Sequence, residues 1–295
     1  VPKTSRALLD ALPREPVMTS TGTVELRRER DDPTGVTVVV NGVPSSHLDL
    51  ADPRRLDFEY MQQMAAVLDT WDVPGGPTAP VRAIHLGAAG CSMVRYLEAT
   101  RPDSRNIAVE LDARLTELVR TWFQLPRAPR LRLRTGDARV ELAAMPTASA
   151  DIVIRDVFAG DATPPHVRTA EFVGEVHRVL RPGGLYLANC ADRPPLSEAR
   201  REVATVATRF SAVGVIAEPA QLHSRRYGNL VVVGTDDPDV LDAPGLARSL
   251  RTLPAPARLL TGVDAASFAS GAVPWRDGDA PHRRLGEDGP TPGND

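Results

Sequence analysis

Between Thr23 and Val43 apolar and polar residues alternate in two stretches, TVELRRER and GVTVVVNGV, separated by the turn-forming DDPTG; the alternation predicts a β-hairpin. The period then changes. In LDFEYMQQMAAVLDTW, residues Phe58, Met61, Met64, Ala65 and Leu68 recur at helical spacing, which predicts a helix of about four turns. DVPGGPTAP reads as a linker. From Val81 onward short apolar runs alternate with amphipathic segments: VRAIHLG, a helix from about Ser92, NIAVEL, the helix ARLTELVRTWF, RLRLRTGD, DIVIRD, the helix TAEFVGEVHRVL, GGLYLANC, the helix LSEARREVATVATRF, AVGVIAE and GNLVVVGT. Strands alternating with helices predict right-handed βαβ units, hence an α/β fold with a mostly parallel sheet of seven strands covered on both faces. The last two strands are joined only by PAQLHSRRY, too short for a crossover, which predicts an antiparallel pair. Arginines alternating through RLRLR predict a sheet edge guarded against another chain.

These patterns divide the chain into a loose leader over residues 1–17, a β-hairpin module with its following helix over 18–75, the doubly wound domain over 76–250, and a C-terminal extension over 251–295 whose Gly, Pro, Asp and Arg predict disorder from about residue 277. A length of 295 residues with 42% hydrophobic content suffices for one large core with a small appendage. The longest apolar runs are strand-sized and VPKTSRALLDALPREP has no apolar signal core, so the expectation is a cytoplasmic protein with no membrane partner. A net charge of -3 argues against nucleic acid as a partner, since such binding rests on neutralising phosphates. Lys3 is the only lysine, which excludes Schiff-base, P-loop and kinase-type lysines from the body of the protein. Cys91 and Cys190 read as reduced core thiols, and nothing has metal-ligand spacing.

Candidate chemistry gathers at strand ends. LGAAG carries Gly87 and Gly90 where the first strand turns into a helix, a place suited to close ligand approach and equally readable as a plain tight turn. Glu110 ends the second strand, where a carboxylate can accept from both hydroxyls of a ribose. Asp137 follows the third strand and Asp156 ends the fourth, so three carboxylates share one rim. Each aspartate has a plainer alternative, Asp137 as a helix N-cap and Asp156 as a turn former. His85 sits inside a strand and reads as a core imidazole, whereas His166 and His223 fall in loops near the rim.

In order, LGAAG, VELD, GDA, IRD and VLRPGGLYL resemble the class I S-adenosylmethionine-binding fold. The front module VVVNGVPSSHLDLADPRRLDFEYMQQM narrows the resemblance to the polyamine aminopropyltransferases, the spermidine synthase family, over about Val24 to Gly234. The resemblance implies a seven-stranded Rossmann-like sheet of class I methyltransferase type with a small N-terminal β-hairpin module. It implies cofactor-binding positions at Gly87, Ala88, Gly90, Glu110 (ribose), Asp137 (adenine amine) and Ala138. It implies a catalytic set of Asp156, Asp161 and Tyr60, with Asp156 capturing and deprotonating the amine, and substrate contacts at Tyr60, Asp161 and Tyr227. The co-substrate is then decarboxylated S-adenosylmethionine and the partner a small-molecule amine, with no prosthetic group, no metal and a homodimer allowed. Three positions depart from the family: Gly90 stands where an aspartate holds the donor's aminopropyl amine, Ser45 where the hairpin carries a glutamine, and SRRYGN replaces a longer tyrosine-proline loop. Asp161 also lies two residues further along than its family counterpart. Gly90 speaks for the alternative of a transferase using intact S-adenosylmethionine, for methyl or aminocarboxypropyl transfer; the missing acid fits equally a non-catalytic nucleotide-binding relative.

Overall fold

The computed structural model describes residues 3–160 and 162–279. The leader expected to be loose is instead a helix, α1 (Lys3–Ala11), because Leu9 and Leu12 fall on one face and are buried against the front module. That module is larger than a hairpin. It is a four-stranded antiparallel sheet in the order β1 (Val17–Met18), β2 (Thr23–Arg27), β3 (Gly35–Val40) and β4 (Val43–Asp49). GVTVVVNGV does not continue as one strand: Asn41 and Gly42 take φ of 51° and 82°, the left-handed pair of a two-residue Asn-Gly turn, and the chain reverses into β4. Helix α2 (Glu59–Thr70) follows as predicted and buries Met61, Met64 and Leu68.

The remaining elements build one eight-stranded sheet. In chain order they are β5 (Arg82–Leu86), α3 (Ser92–Thr100), β6 (Arg105–Glu110), α4 (Ala113–Trp122), β7 (Leu131–Thr135), α5 (Ala138–Ala143), β8 (Ala150–Arg155), α6 (Ala170–Val179), β9 (Leu180–Asp192), α7 (Ser197–Val206), β10 (Ala212–Ala217), α8 (Pro219–Leu222), β11 (Gly228–Thr235), α9 (Asp239–Asp242), α10 (Pro244–Arg251), β12 (Arg258–Leu260) and α11 (Gly262–Phe268). The spatial order is β12-β10-β11-β9-β8-β5-β6-β7. Strands β5 to β9 pair in parallel, β11 runs antiparallel between β9 and β10 as its short connection requires, and β7 lies at an edge as its arginines predict. The eighth strand comes from the C-terminal extension, where β12 pairs antiparallel with β10.

Alternation along the strands sorts the core into two faces. Ile152, Ile154, Leu185 and Leu187 pack with α2, α3 and α10, while Val153, Tyr186 and Ala188 pack with α5, α6 and α7. A third cluster joins the front sheet to the large one: Val36, Val38 and Leu48 meet Cys91 and Val94 at the start of α3, with Leu115 and Val119 of α4. Leu48 is fully buried in this seam, so truncating it to alanine would cost about 2–5 kcal/mol and loosen the front sheet from the turn after β5. Asp112, the N-cap of α4, fastens the same seam. It accepts from Leu115 N–H (2.8 Å), Ser20 N–H (3.0 Å), Thr21 N–H (2.8 Å) and Thr21 Oγ1 (2.6 Å). Burial pushes its pKa up, but these donors win and hold the carboxyl well below the usual range.

His85 is buried with Nε2 at 3.0 Å from Asn106 Oδ1, and burial pushes its pKa down to about 4, as befits a neutral core imidazole. Both cysteines are free and buried. Residues 277–279, at the start of the tail expected to be disordered, form a 3-10 turn, and the rest of that tail lies outside the described residues. Among the described residues no helix is long and apolar enough to cross a membrane.

Candidate active site

The turn after β5 is wedged between its two neighbouring strands. Gly87 N–H donates to Val109 O (3.0 Å) and Asp156 N–H to Leu86 O (2.8 Å). A Cβ on Gly87 would lie 2.1 Å from the Asp156 carbonyl oxygen, and its φ is +81°, so both space and backbone demand glycine. Ala89 and Cys91 also take positive φ, 37° and 63°, a conformation costly for residues with a Cβ. Hydrogen bonds to the turn hold them in place. Glu110 Oε2 accepts from Ala88 N–H (3.2 Å) and Ala89 N–H (2.9 Å), while its Oε1 accepts from Asp112 N–H (3.1 Å). Gly90 N–H donates to Ser46 Oγ (2.9 Å), and Ser92 Oγ donates to His47 O (2.6 Å), so β4 is bolted to the turn. A Cβ on Gly90 would meet Leu48 Cδ1 at 2.7 Å and Ser46 Cβ at 2.9 Å; packing accounts for this glycine. Ser45, at the family's glutamine position, donates only to Val43 O within its own strand (2.9 Å).

Asp137 caps α5. Its Oδ1 accepts from Arg139 N–H (2.9 Å) and Val140 N–H (3.1 Å), so the N-cap alternative is realised, and its Oδ2 lies 2.8 Å from His166 Nε2. Burial raises the Asp137 pKa, but the Val140 amide, the His166 ring and the Arg139 amide outweigh it and the carboxyl is lowered. Ala138 is the first residue of α5. Two apolar side chains beside these carboxylates stand out in solvent, Leu111 at 56% and Val140 at 66% exposure.

Asp156 sits past the end of β8 and begins no helix, so it has no row of amides to lean on. Tyr60 OH, from the first turn of α2, donates to its Oδ2 (2.8 Å), and Asn189 Nδ2, from β9, donates to its Oδ1 (2.8 Å). Here burial prevails over Asn189, Tyr60 and the Arg155 charge, and the Asp156 pKa is raised. Burial and the neighbouring Asp156 likewise raise the Tyr60 phenol, which stays a donor. Asn189 is 1% exposed and its Oδ1 has no hydrogen-bond partner among the described residues. Beneath Asp156, the fully buried Arg155 keeps its charge against Glu202 Oε1 (2.8 Å) and Tyr186 OH (3.0 Å).

Register brings these groups to one rim. Leu86 is level with Val109 of β6 and Arg155 of β8, and Glu110 with Thr135 of β7, so Asp156, Gly87, Glu110 and Asp137 follow one another at strand spacings of about 5 Å. Tyr227 precedes β11, whose first residue pairs with Asp192 at the end of β9, so it stands on the same rim; its ring lies 5.7 Å from the Arg193 guanidinium. His223 lies near the rim with Nδ1 at 2.6 Å from Pro219 O. Asp161 lies outside the described residues. Sequence reasoning missed Asn189, whose only signal was a lone amide in an apolar run lateral to Asp156, and it missed Leu111 and Ser46, which carry no signal without the register. Among the described residues no three His, Cys, Asp or Glu side chains converge to hold a metal ion.

A family model of a methyltransferase domain matches residues 84–188. The polyamine aminopropyltransferase of Vibrio vulnificus (strain CMCP6) is 30% identical over 112 residues, 37% of this chain and 38% of that protein. The polyamine aminopropyltransferase of Chromobacterium violaceum is 25% identical over 144 residues, 49% of this chain and 53% of that protein. The matches thus span about half or less of these curated relatives. A crystal structure of a probable spermidine synthase from Corynebacterium glutamicum ATCC 13032 superimposes with a TM-score of 0.85 at 38% identity, over 93% of this chain and 100% of that one.

Proposed function

The chain belongs to the spermidine synthase-like family of transferases, and from that premise we propose that it moves an aminopropyl group from decarboxylated S-adenosylmethionine to a di- or polyamine. The observation that carries the reading is Asp156: a half-buried carboxylate of raised pKa, held by Tyr60 and Asn189 beside the turn after β5. An aliphatic amine of pKa ~10 arrives as an ammonium, so attack needs a group that draws the cation in and takes its proton. Asp156 does both. The freed nitrogen lone pair attacks the methylene next to the sulfonium, the carbon–sulfur bond breaks with its electrons on sulfur, and methylthioadenosine leaves as a neutral thioether. Because the donor's charge vanishes in this step, orientation supplies most of the rate.

The nucleoside half lies at Gly87, Ala88, Glu110, Asp137 and Ala138. Glu110 accepts from the ribose hydroxyls, Leu111 offers an apolar face to the base, and Asp137 meets the adenine amine. Tyr60 walls the amine's apolar stem, and Tyr227, on the same rim, is a further contact for the amine. Asp161 completes the acidic attraction for a dication.

A second reading has its own observation. Gly90 is closed off by Leu48, Ser46 and Val38, so the turn has no room for the acid that would repel a donor carboxylate. Intact S-adenosylmethionine is therefore a competing donor. The test is mass spectrometry of products from decarboxylated S-adenosylmethionine with putrescine, cadaverine or spermidine, alongside calorimetry of both donors. An aminopropylated amine is the expected product; silence with all three amines and tighter binding of the intact donor would replace the first reading with the second.

A further inference from the structure

The described chain ends at the nucleotide rim after crossing α7 and α6. Trp275 lies between two guanidinium groups, Arg201 at 3.2 Å and Arg168 at 4.1 Å from the ring centroid. Its backbone N–H donates to Thr205 Oγ1 (2.8 Å), and its carbonyl accepts from Ala170 N–H (2.8 Å) at the start of α6. These contacts dock the strap. Two residues on, Asp277 does something different: it accepts from Arg139 Nη1 and Nη2, both at 2.7 Å, and from Thr169 Oγ1 at 2.7 Å.

Arg139 stands two residues past Asp137, and its Nη1 also donates to His166 O (3.1 Å). His166 belongs to the 3-10 turn Pro165–Val167, and Thr169 is the N-cap of α6. Asp277 thus clips the start of α5 to the start of α6, and between them hangs the imidazole that pairs with Asp137. A lone surface ion pair contributes little, but a bidentate arginine–carboxylate pair within a network fixes geometry as well as charge.

We propose that Asp277 is a positioning residue for the nucleotide site, acting through Arg139 and His166 on Asp137. The proposal rests on the functional reading above only in naming a nucleotide as what the ordered rim receives. Trp275 holds the strap to the fold, and Asp277 sets the rim.

The test uses the full chain with Asp277→Ala, Arg139→Ala and the double variant. Amide exchange over residues 164–170 should quicken by roughly tenfold in each single variant, with melting temperature within about 2 °C of wild type. The Kd for methylthioadenosine should rise by about 3- to 10-fold, and the double variant should be no weaker than either single one, because both changes cut one path. In turnover, donor KM should rise with kcat unchanged. Unaltered exchange and affinity in Asp277→Ala, or losses that add in the double variant, would overturn the proposal. Failure of the wild type to bind methylthioadenosine would sink the functional reading instead, and the exchange measurement would still decide whether Asp277 orders the rim.

Discussion

Asp137 and Asp156 are the same residue type at the ends of strands in one sheet, yet their surroundings push them in opposite directions. Asp137 heads a helix, and two amides of that helix point at one of its oxygens; they are fixed by the backbone and favour the anion at all times. Asp156 heads nothing. Its donors are a phenol and an amide on two different elements, and burial outweighs them both. Under the proposed function, the end of the rim that takes the nucleoside carries an aspartate held as an anion, and the end that takes the amine an aspartate whose charge is conditional. That is the division expected of a site that grips one molecule and takes a proton from another.

Replacing the conditional group should have the largest effect. Asp156→Asn keeps the shape but can neither neutralise an ammonium nor accept its proton, so kcat should fall about 10²-fold or more while methylthioadenosine affinity holds. Activity untouched by this change would end the assignment of Asp156 as the base. At the gripping end, Glu110→Gln should weaken methylthioadenosine by ~1–3 kcal/mol, the scale of a hydrogen bond to a charged group, and leave kcat at saturation nearly intact. Equal affinity in calorimetry would mean that Glu110 serves only the turn.

Stability against pH gives the smallest effect and the sharpest contrast, because the two signs are opposed. The lowered pKa of Asp137 contributes stability above the unfolded carboxyl value that is lost as pH falls through the folded one. The raised pKa of Asp156 does the reverse: the fold favours its neutral form, so ionisation at neutral pH works against stability. At pH 7 Asp156→Asn should therefore raise the melting temperature and Asp137→Asn lower it, each by about 1–4 °C, and both differences should shrink toward pH 3. Shifts of the same sign in calorimetric scans would erase the contrast.

The carboxylates on the rim were legible because strand ends are legible: apolar alternation stops at Glu110 and Asp156, and the doubly wound topology then sends those ends to one side. What escaped were features that depend on lateral neighbours. Asn189 sits in the apolar run LYLANC, and only the pairing of Arg155 with Ala188 brings it beside Asp156. Asn41–Gly42 is a turn-forming pair, but it lies inside GVTVVVNGV, which reads as one strand, so β4 was hidden and with it the reason for Gly90. The helix at Lys3–Ala11 and the strand at Arg258–Leu260 are short elements stabilised by docking rather than by their own periodicity.

The edge strand β7 has a consequence for how copies of this protein meet. Arg132 is exposed on this edge strand, and Arg134 is tied to Glu141 at 3.2 Å, so a second β7 brought alongside would set arginine against arginine. The opposite edge is the three-residue β12, too short to template another strand. The large sheet is thus capped at both ends, and continuing it from one molecule into the next, the route by which open sheets turn into fibres and precipitates, is blocked at either side.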